Sequence, residues 1–274
     1  MRNTVVIVLV LAVSAIADKA DAQVPQLPEG ALTHWAIEGP EEIVTWVLFD
    51  PTTVDHQLPA RLRFITLGEL AAGGIRWAVD HLSKKPSRAQ WGISFLEIAR
   101  MEMFTLDGDA LVLPEDGAVG LWFARVAPAH NATDLGPGQP YLALEFWLPD
   151  SSYAAKFREK GHYATYGNVV LSRYEDGKWR GTIAVDGLSI VAECVPTGSI
   201  TGGQGSAGMQ SIFPPASSLA NVVRVAFAGH LVRGCREDLP WILRGTHPLA
   251  GGEIIGPAEF QFGYRLVGGA YVER

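Results

Sequence analysis

Residues 141–195 constrain the fold most, because they carry in succession the signals of a strand, a short helix and three further strands. Residues 141–148 are rich in aromatic and leucine side chains and have proline on both sides, which is typical of a buried strand. Asp150 can cap a helix over residues 151–160, and Gly161 can end it in the left-handed conformation.

Two Asp-Gly pairs then mark tight turns between apolar runs. Asp176-Gly177 and Asp186-Gly187 supply the positive backbone angles that two-residue hairpins need. The runs that they join, residues 168–174, 179–185 and 188–195, are predicted to form an antiparallel meander.

The rest of the chain is predicted to be mainly strand. Apolar or alternating runs predict strands at residues 43–49, 90–98, 100–106, 119–126, 221–228, 231–234, 241–243 and 258–266. A strand is also predicted over residues 74–79, because Gly73-Gly74 interrupts a helix-like spacing, and residues 197–208 are predicted to be a glycine-rich loop. The fold class is therefore mainly β, with an antiparallel barrel-like sheet and few helices.

Ordered short motifs suggest a family. Tyr141-Leu142, the run 154–159, Tyr163 and Gly181-Thr182 resemble the centre of the acetoacetate decarboxylase superfamily. The resemblance extends outward over roughly residues 40 to 266, through Leu58-Pro59, Leu62, Phe95-Leu96-Glu97, the run 256–259 and Tyr264. It implies a barrel-like ligand-binding fold and a homo-oligomer.

The chain departs from the family where the chemistry is expected. In the family, a lysine just after the tyrosine forms a Schiff base with the substrate, but Ala164-Thr165-Tyr166 follows Tyr163 here. The family's arginine also has no counterpart, because no lysine or arginine lies between His34 and Arg61. A threonine cannot form an imine, so a Schiff base at this position is excluded.

Glu97 is the matching functional position that remains. It shares a strand face with Phe95 and is predicted to be a general acid or base whose pKa burial raises. The resemblance implies that the ligand is contacted by residues of the family's active segment, namely Arg158, His162, Tyr163, Thr165 and Tyr166. The predicted function is a lyase-type enzyme acting on a small oxo acid or dicarbonyl compound; the alternative is a non-catalytic small-molecule-binding barrel protein.

Two further alternatives concern charged side chains. Glu97 has a structural interpretation, in which it pairs with Arg100 or Arg158 and stays ionised. Lys156 or Lys160 on the predicted helix could replace the missing amine, although charged side chains on a surface helix ordinarily lie in solvent.

The N-terminus predicts export. Residues 5–17 form an apolar run too short to span a bilayer with ease, and small residues follow it. Residues 1–22 are therefore predicted to be a signal peptide cleaved after Ala22, with Ala17 as a second candidate and an uncleaved anchor helix as the alternative. Residues 23–274 are then one domain of a periplasmic or secreted protein, with no membrane contact after cleavage.

The expected partner is a small-molecule ligand or substrate, as the resemblance implies, and composition argues against nucleic acid. The net charge is −7 and no basic run occurs, so nucleic-acid binding is not expected. The seven histidines include no pair at i, i+2 or i, i+4, so no metal and no cofactor are expected. Cys194 and Cys235 favour a disulfide in an exported protein, and two buried thiols are the alternative.

Overall fold

The computed structural model describes residues 29, 33–129, 139–202, 207–213, 221–256 and 258–272. The predicted signal peptide lies outside the described residues, as does the part 203–206 of the predicted glycine-rich loop. No helix among the described residues is both long and apolar enough to cross a bilayer.

Twenty strands and three α-helices make up the described fold. The first strands are β1 (Thr33–Glu38), β2 (Glu41–Phe49), β3 (Leu62–Phe64), β4 (Gly92–Arg100), β5 (Met103–Leu106), β6 (Asp109–Ala110), β7 (Val119–Pro128), β8 (Gln139–Leu148), β9 (Ala164–Tyr166) and β10 (Asn168–Arg173). The others are β11 (Trp179–Val185), β12 (Leu188–Cys194), β13 (Pro196–Gly202), β14 (Ala207–Phe213), β15 (Asn221–Ala228), β16 (Leu231–Cys235), β17 (Trp241–Gly245), β18 (Glu253–Ile254), β19 (Glu259–Phe262) and β20 (Arg265–Val272). The helices are α1 (Leu67–Ala72), α2 (Arg76–Lys84) and α3 (Ser151–Glu159).

Sixteen strands form one large sheet in the order β13-β16-β19-β2-β4-β7-β8-β14-β15-β20-β1-β5-β6, with β18, β3 and β9 attached to β2, β7 and β8. The prediction of a mainly β fold is confirmed. The prediction of an antiparallel barrel is wrong, because the described sheet is open and β8 has parallel partners in β9 and β14. A helical crossover explains one of these pairs, since α3 reverses the chain direction after β8, so that β9 runs parallel to the last three residues of β8.

The predicted meander is confirmed as β10-β11-β12, and β17 completes a second, four-stranded sheet. This sheet packs on the outer face of the large sheet, where Ile98 and Trp147 meet Ile183. The two sheets approach so closely that a Cβ at Gly181 would lie 2.8 Å from the Cδ1 of Ile98. A disulfide between Cys194 on β12 and Cys235 on β16 joins them.

Helix α3 begins and ends as its sequence predicts. The Asp150 carboxylate accepts hydrogen bonds from the N–H groups of Ser152 (2.8 Å) and Tyr153 (2.9 Å), and Gly161 follows the helix at φ +89°. Tyr153 and Phe157 are buried against aromatic side chains of β5 and β8. The helix therefore covers the inner face of the large sheet at one end.

Three local predictions are corrected. Residues 74–79 were expected to be a strand, but α1 and α2 occupy this region, because Thr66 and Glu69 form a reciprocal capping box and Gly74 turns the chain at φ +80° between the helices. In the predicted loop 197–208, β13 and the start of β14 are found instead. The predicted strand 258–266 is two strands, which Gly263 separates at φ +74°.

Candidate functional site

The inner face of the large sheet surrounds a cavity of about 580 Å³. Most of its described wall is apolar and aromatic, with Trp46, Phe95, Phe123 and Phe146 among the larger side chains. The polar side chains of the wall are Glu42, Glu97, Gln139, Tyr141, Thr201, Gln210, His230, Glu259, Gln261 and Tyr264. A cavity of this size with a mainly apolar wall and convergent polar groups is typical of a small-molecule site.

Strand alternation places two carboxyl groups on the same wall. Glu42, Val44 and Trp46 of β2 face the cavity, while the residues between them face the second sheet. Val44 lies directly opposite Glu97 of β4 in the antiparallel register. Glu42 and Glu97 are therefore diagonal neighbours on one sheet face, with roughly 7 Å expected between such positions.

Glu42 is buried, with 2% of its surface exposed. Its Oε2 accepts a hydrogen bond of 2.8 Å from the Tyr264 hydroxyl. Burial raises the pKa of Glu42 to about 7, against the opposing effect of that hydrogen bond. Near neutral pH, Glu42 therefore exists in both its protonated and its ionised form.

Glu97 is half-buried, and it lines the cavity. Within the described chain it has no hydrogen-bond or salt-bridge partner. Burial first, and the charge of Glu42 second, raise the pKa of Glu97 well above its ordinary value. A carboxyl group in this environment is protonated when its neighbour Glu42 is ionised.

A series of polar side chains in contact with one another lies beside Glu42 and Glu97, and two of them follow glycine turns. Gly263 precedes Tyr264 and Gly229 precedes His230, both glycines having positive φ, and the two aromatic rings meet edge to face at 5.3 Å. The Nε2 of His230 contacts the amide oxygen of Gln261. The amide nitrogen of Gln261 in turn donates to Glu259 at 2.9 Å.

The described wall contains three carboxyl groups and neither lysine nor arginine. Nor do the described residues include a group of three or more histidine, cysteine, aspartate or glutamate side chains that could hold a metal ion. What this arrangement can supply is proton transfer between carboxyl groups, with the phenols of Tyr141 and Tyr264 as hydrogen-bond donors. The pKa of Tyr264 is raised well above its usual range, by burial first and then by Glu42 and Glu97, so this phenol stays protonated.

The structure does not bring the ligand-binding residues implied by the family resemblance to this cavity. Arg158 donates to the carbonyl oxygen of Ala164 at 2.6 Å, and Thr165 donates to Glu145 at 2.5 Å. His162 is buried against the rings of Phe146 and Phe157, and Tyr163 and Tyr166 are exposed. None of the five belongs to the described wall.

The structure also shows where the lysines considered as replacement amines and the arginine considered as a partner of Glu97 lie. Lys156 pairs with Asp109 and Lys160 with Asp107, and neither lysine lines the cavity. Arg100 pairs with Glu41, which faces away from Glu97 on the neighbouring strand.

Sequence reasoning placed Glu97 beside Phe95 but missed Glu42. The predicted strand began at residue 43, so Glu42 was left out of an alternation that continues through Val44 and Trp46. A polar residue in phase with that apolar face was the signal. The contact of His230 with Gln261 had no such signal, because these residues are 31 positions apart.

Fold and site together define a class: an open, curled β-sheet protein with an interior cavity whose polar groups are chiefly carboxyl, amide and phenol. No protein-family model and no curated protein matches the sequence.

Solved structures do match the fold. A structure described as "Structural Studies of Acetoacetate Decarboxylase" is 12% identical, with 90% of each chain covered and a TM-score of 0.54. An acetoacetate decarboxylase-like enzyme from Sphingomonas wittichii RW1 is 14% identical over 90% of this chain and 94% of that one, with a TM-score of 0.49. The enduracididine biosynthesis enzyme MppR complexed with pyruvate is 12% identical over 89% and 91%, with a TM-score of 0.47. The comparison with acetoacetate decarboxylase shows that the chain has an acetoacetate decarboxylase-like fold.

Proposed function

We propose that this chain is a member of the acetoacetate decarboxylase superfamily that catalyses proton transfer beside the carbonyl group of a small oxo acid or dicarbonyl compound. The reaction is of the lyase type and proceeds without a Schiff base at the family position. The observation that supports it is the pair of neighbouring cavity carboxyls, Glu42 with a pKa of about 7 and Glu97 with a pKa raised well above the usual range.

Such a pair divides the roles of base and acid between two identical side chains. Ionised Glu42 takes a proton from the carbon next to the substrate carbonyl, and the electrons of that C–H bond form the double bond of an enol. Protonated Glu97 gives its proton to the carbonyl oxygen. In a lyase-type reaction the substrate also carries a leaving group on the carbon next to the one that lost its proton. The enol returns its O–H proton to Glu97 and re-forms the carbonyl group, and the electrons of the enol double bond form a new carbon–carbon double bond to that carbon. The leaving group departs with its bonding electrons and takes the proton that Glu42 had accepted.

Tyr264 supports the base through its hydrogen bond to Glu42, because a donor to the ionised form stabilises that form. An imine route is not part of the proposal, since an imine needs an uncharged amine beside the carbonyl. The described cavity wall offers no lysine for it.

Export is also part of the proposal. It is supported by the apolar run and small residues within residues 1–22, and by the Cys194–Cys235 disulfide, since disulfides persist in oxidising compartments.

Hydrogen–deuterium exchange tests the proposed chemistry. Pyruvate and butane-2,3-dione both carry a methyl group beside a carbonyl, and enolisation in D2O replaces its hydrogens, which ¹H NMR measures. The protein should accelerate the exchange of at least one probe. Glu97→Gln should lower that rate by roughly 10² or more, because the amide keeps the shape of the side chain and removes its transferable proton.

Glu115→Gln is the matched control, because Glu115 is exposed and outside the cavity. Full exchange activity in Glu97→Gln would contradict the proposal. A loss of exchange in Thr165→Val would move the site to the α3–β9 segment. Ligand binding that Glu97→Gln alters, with no exchange by any variant, would indicate the non-catalytic binding protein.

A further inference from the structure

Three cavity carboxyl groups surround one valine. Val44 of β2 lies opposite Glu97 on β4 and opposite Glu259 on β19. Glu42 lies two residues before Val44 on the same strand face, with Gln261 directly opposite it. Any ligand that contacts Val44 therefore meets carboxyl groups on three adjacent strands.

No lysine or arginine belongs to the described wall to balance them, and the histidine of that wall, His230, contacts the amide oxygen of Gln261 through its Nε2. Arg125 of β7 lies opposite Tyr141 and acts to lower the pKa of that phenol, against the larger effect of burial. Arg125 itself is not part of the described wall. An anion that entered the cavity would lose its hydration and find no lysine or arginine on the described wall to pair with.

The same wall suits an uncharged carbonyl compound. Trp46 and Phe95 meet edge to face at 5.9 Å, and Phe95 and Phe123 are 5.2 Å apart, so their rings offer a continuous apolar surface. Protonated Glu97 can donate to a carbonyl oxygen, and the hydroxyl of Tyr264 lies near the same carboxyl pair.

We infer that the cavity selects uncharged dicarbonyl compounds over oxo acid anions, because its described wall offers an anion no lysine or arginine and places the carboxyl groups of Glu42, Glu97 and Glu259 around Val44. This inference rests on the proposed function and narrows its two substrate classes to one.

Pyruvate and butane-2,3-dione are a matched pair for the test, since they differ by an anionic oxygen in place of a methyl group. NMR line-broadening titration near neutral pH measures the binding of such small ligands, in a buffer without borate to limit reaction of the dione with arginine. Butane-2,3-dione should bind at least tenfold more tightly than pyruvate. The double variant Glu42→Gln/Glu259→Gln should reduce this ratio by strengthening pyruvate binding, whereas Glu115→Gln should leave the ratio unchanged.

Binding of pyruvate as tight as that of the dione would overturn the inference. If this pyruvate binding were then lost in Arg125→Met, Arg125 would be identified as the cation that binds the pyruvate carboxylate. Binding of neither probe would overturn it as well. Selective binding of the dione without any exchange would leave the inference standing and refute the proposed catalysis. Equal binding with exchange of both probes would refute the inference alone.

Discussion

Glu97 on the cavity wall and the polar side chains of the α3–β9 segment, residues 151–166, differ in whether they have a local hydrogen-bond or ion-pair partner. In the α3–β9 segment they have local partners: Arg158 bonds the carbonyl of Ala164, Thr165 bonds Glu145, and Lys156 pairs with Asp109. On the cavity wall, Glu97 has no hydrogen-bond or ion-pair partner in the described part of the chain. Polar groups with local partners stabilise a fold, whereas an unpaired buried carboxyl costs stability and is retained where chemistry needs it.

Buried titratable groups of the two regions also respond to pH in opposite directions. Burial raises the pKa of Glu42 on the cavity wall to about 7 and lowers the pKa of His162, beside α3, to about 4. Both shifts keep the buried group uncharged. The cavity should therefore be less stable as pH rises, and the packing around His162 less stable as pH falls.

Glu42→Gln should have the largest effect on this pH dependence. The stabilising contribution of a carboxyl with a raised pKa is complete below the unfolded value of 4.5 and is lost as pH rises through about 7. Between about pH 5 and about pH 8, the wild type should lose about 2 to 3 kcal/mol that the variant does not lose. Urea unfolding at both pH values measures this difference.

Glu115→Gln provides the reference for that measurement, because Glu115 is exposed. If Glu42→Gln and Glu115→Gln change stability by the same amount at both pH values, the raised pKa of Glu42 is refuted.

His162→Phe should show the smaller effect, on the acid side. A histidine with a lowered pKa contributes stability that is complete above the unfolded value of 6.5 and is lost as pH falls toward about 4. The wild type should lose about 2 kcal/mol between about pH 7 and about pH 5 through this group, and the variant should not. Unfolding curves that are equally acid-sensitive in both proteins would show that His162 is not buried in its neutral form.

Much of the fold was predictable from local signals. Asp150, Gly161 and the two Asp-Gly turns act on their immediate neighbours, so α3 and the meander β10-β11-β12 were found near their observed bounds. The parallel pairing of β8 with β14 was not predictable, because it joins distant segments and leaves no periodic mark. The two helices in residues 67–84 were missed because the glycine pair was interpreted as interrupting one element, when it separates two.

The candidate site was predictable in part. The period of two placed Glu97 with Phe95, but the other cavity carboxyls depend on the register of β2 with β4 and β19. The residues implied by resemblance, such as Thr165, follow the family's order along the chain. The side chains of Arg158 and Thr165 are nevertheless directed to partners outside the described cavity wall, namely the carbonyl oxygen of Ala164 and the carboxylate of Glu145.

The central claim is that the cavity keeps glutamate carboxyls protonated near neutral pH. The direct measurement is an NMR titration of the protein labelled with ¹³C at the glutamate side-chain carboxyls. The account predicts two carboxyl signals that titrate well above the ordinary glutamate range, one absent from Glu42→Gln and the other from Glu97→Gln. Titration of every glutamate below about pH 5.5 would contradict the account.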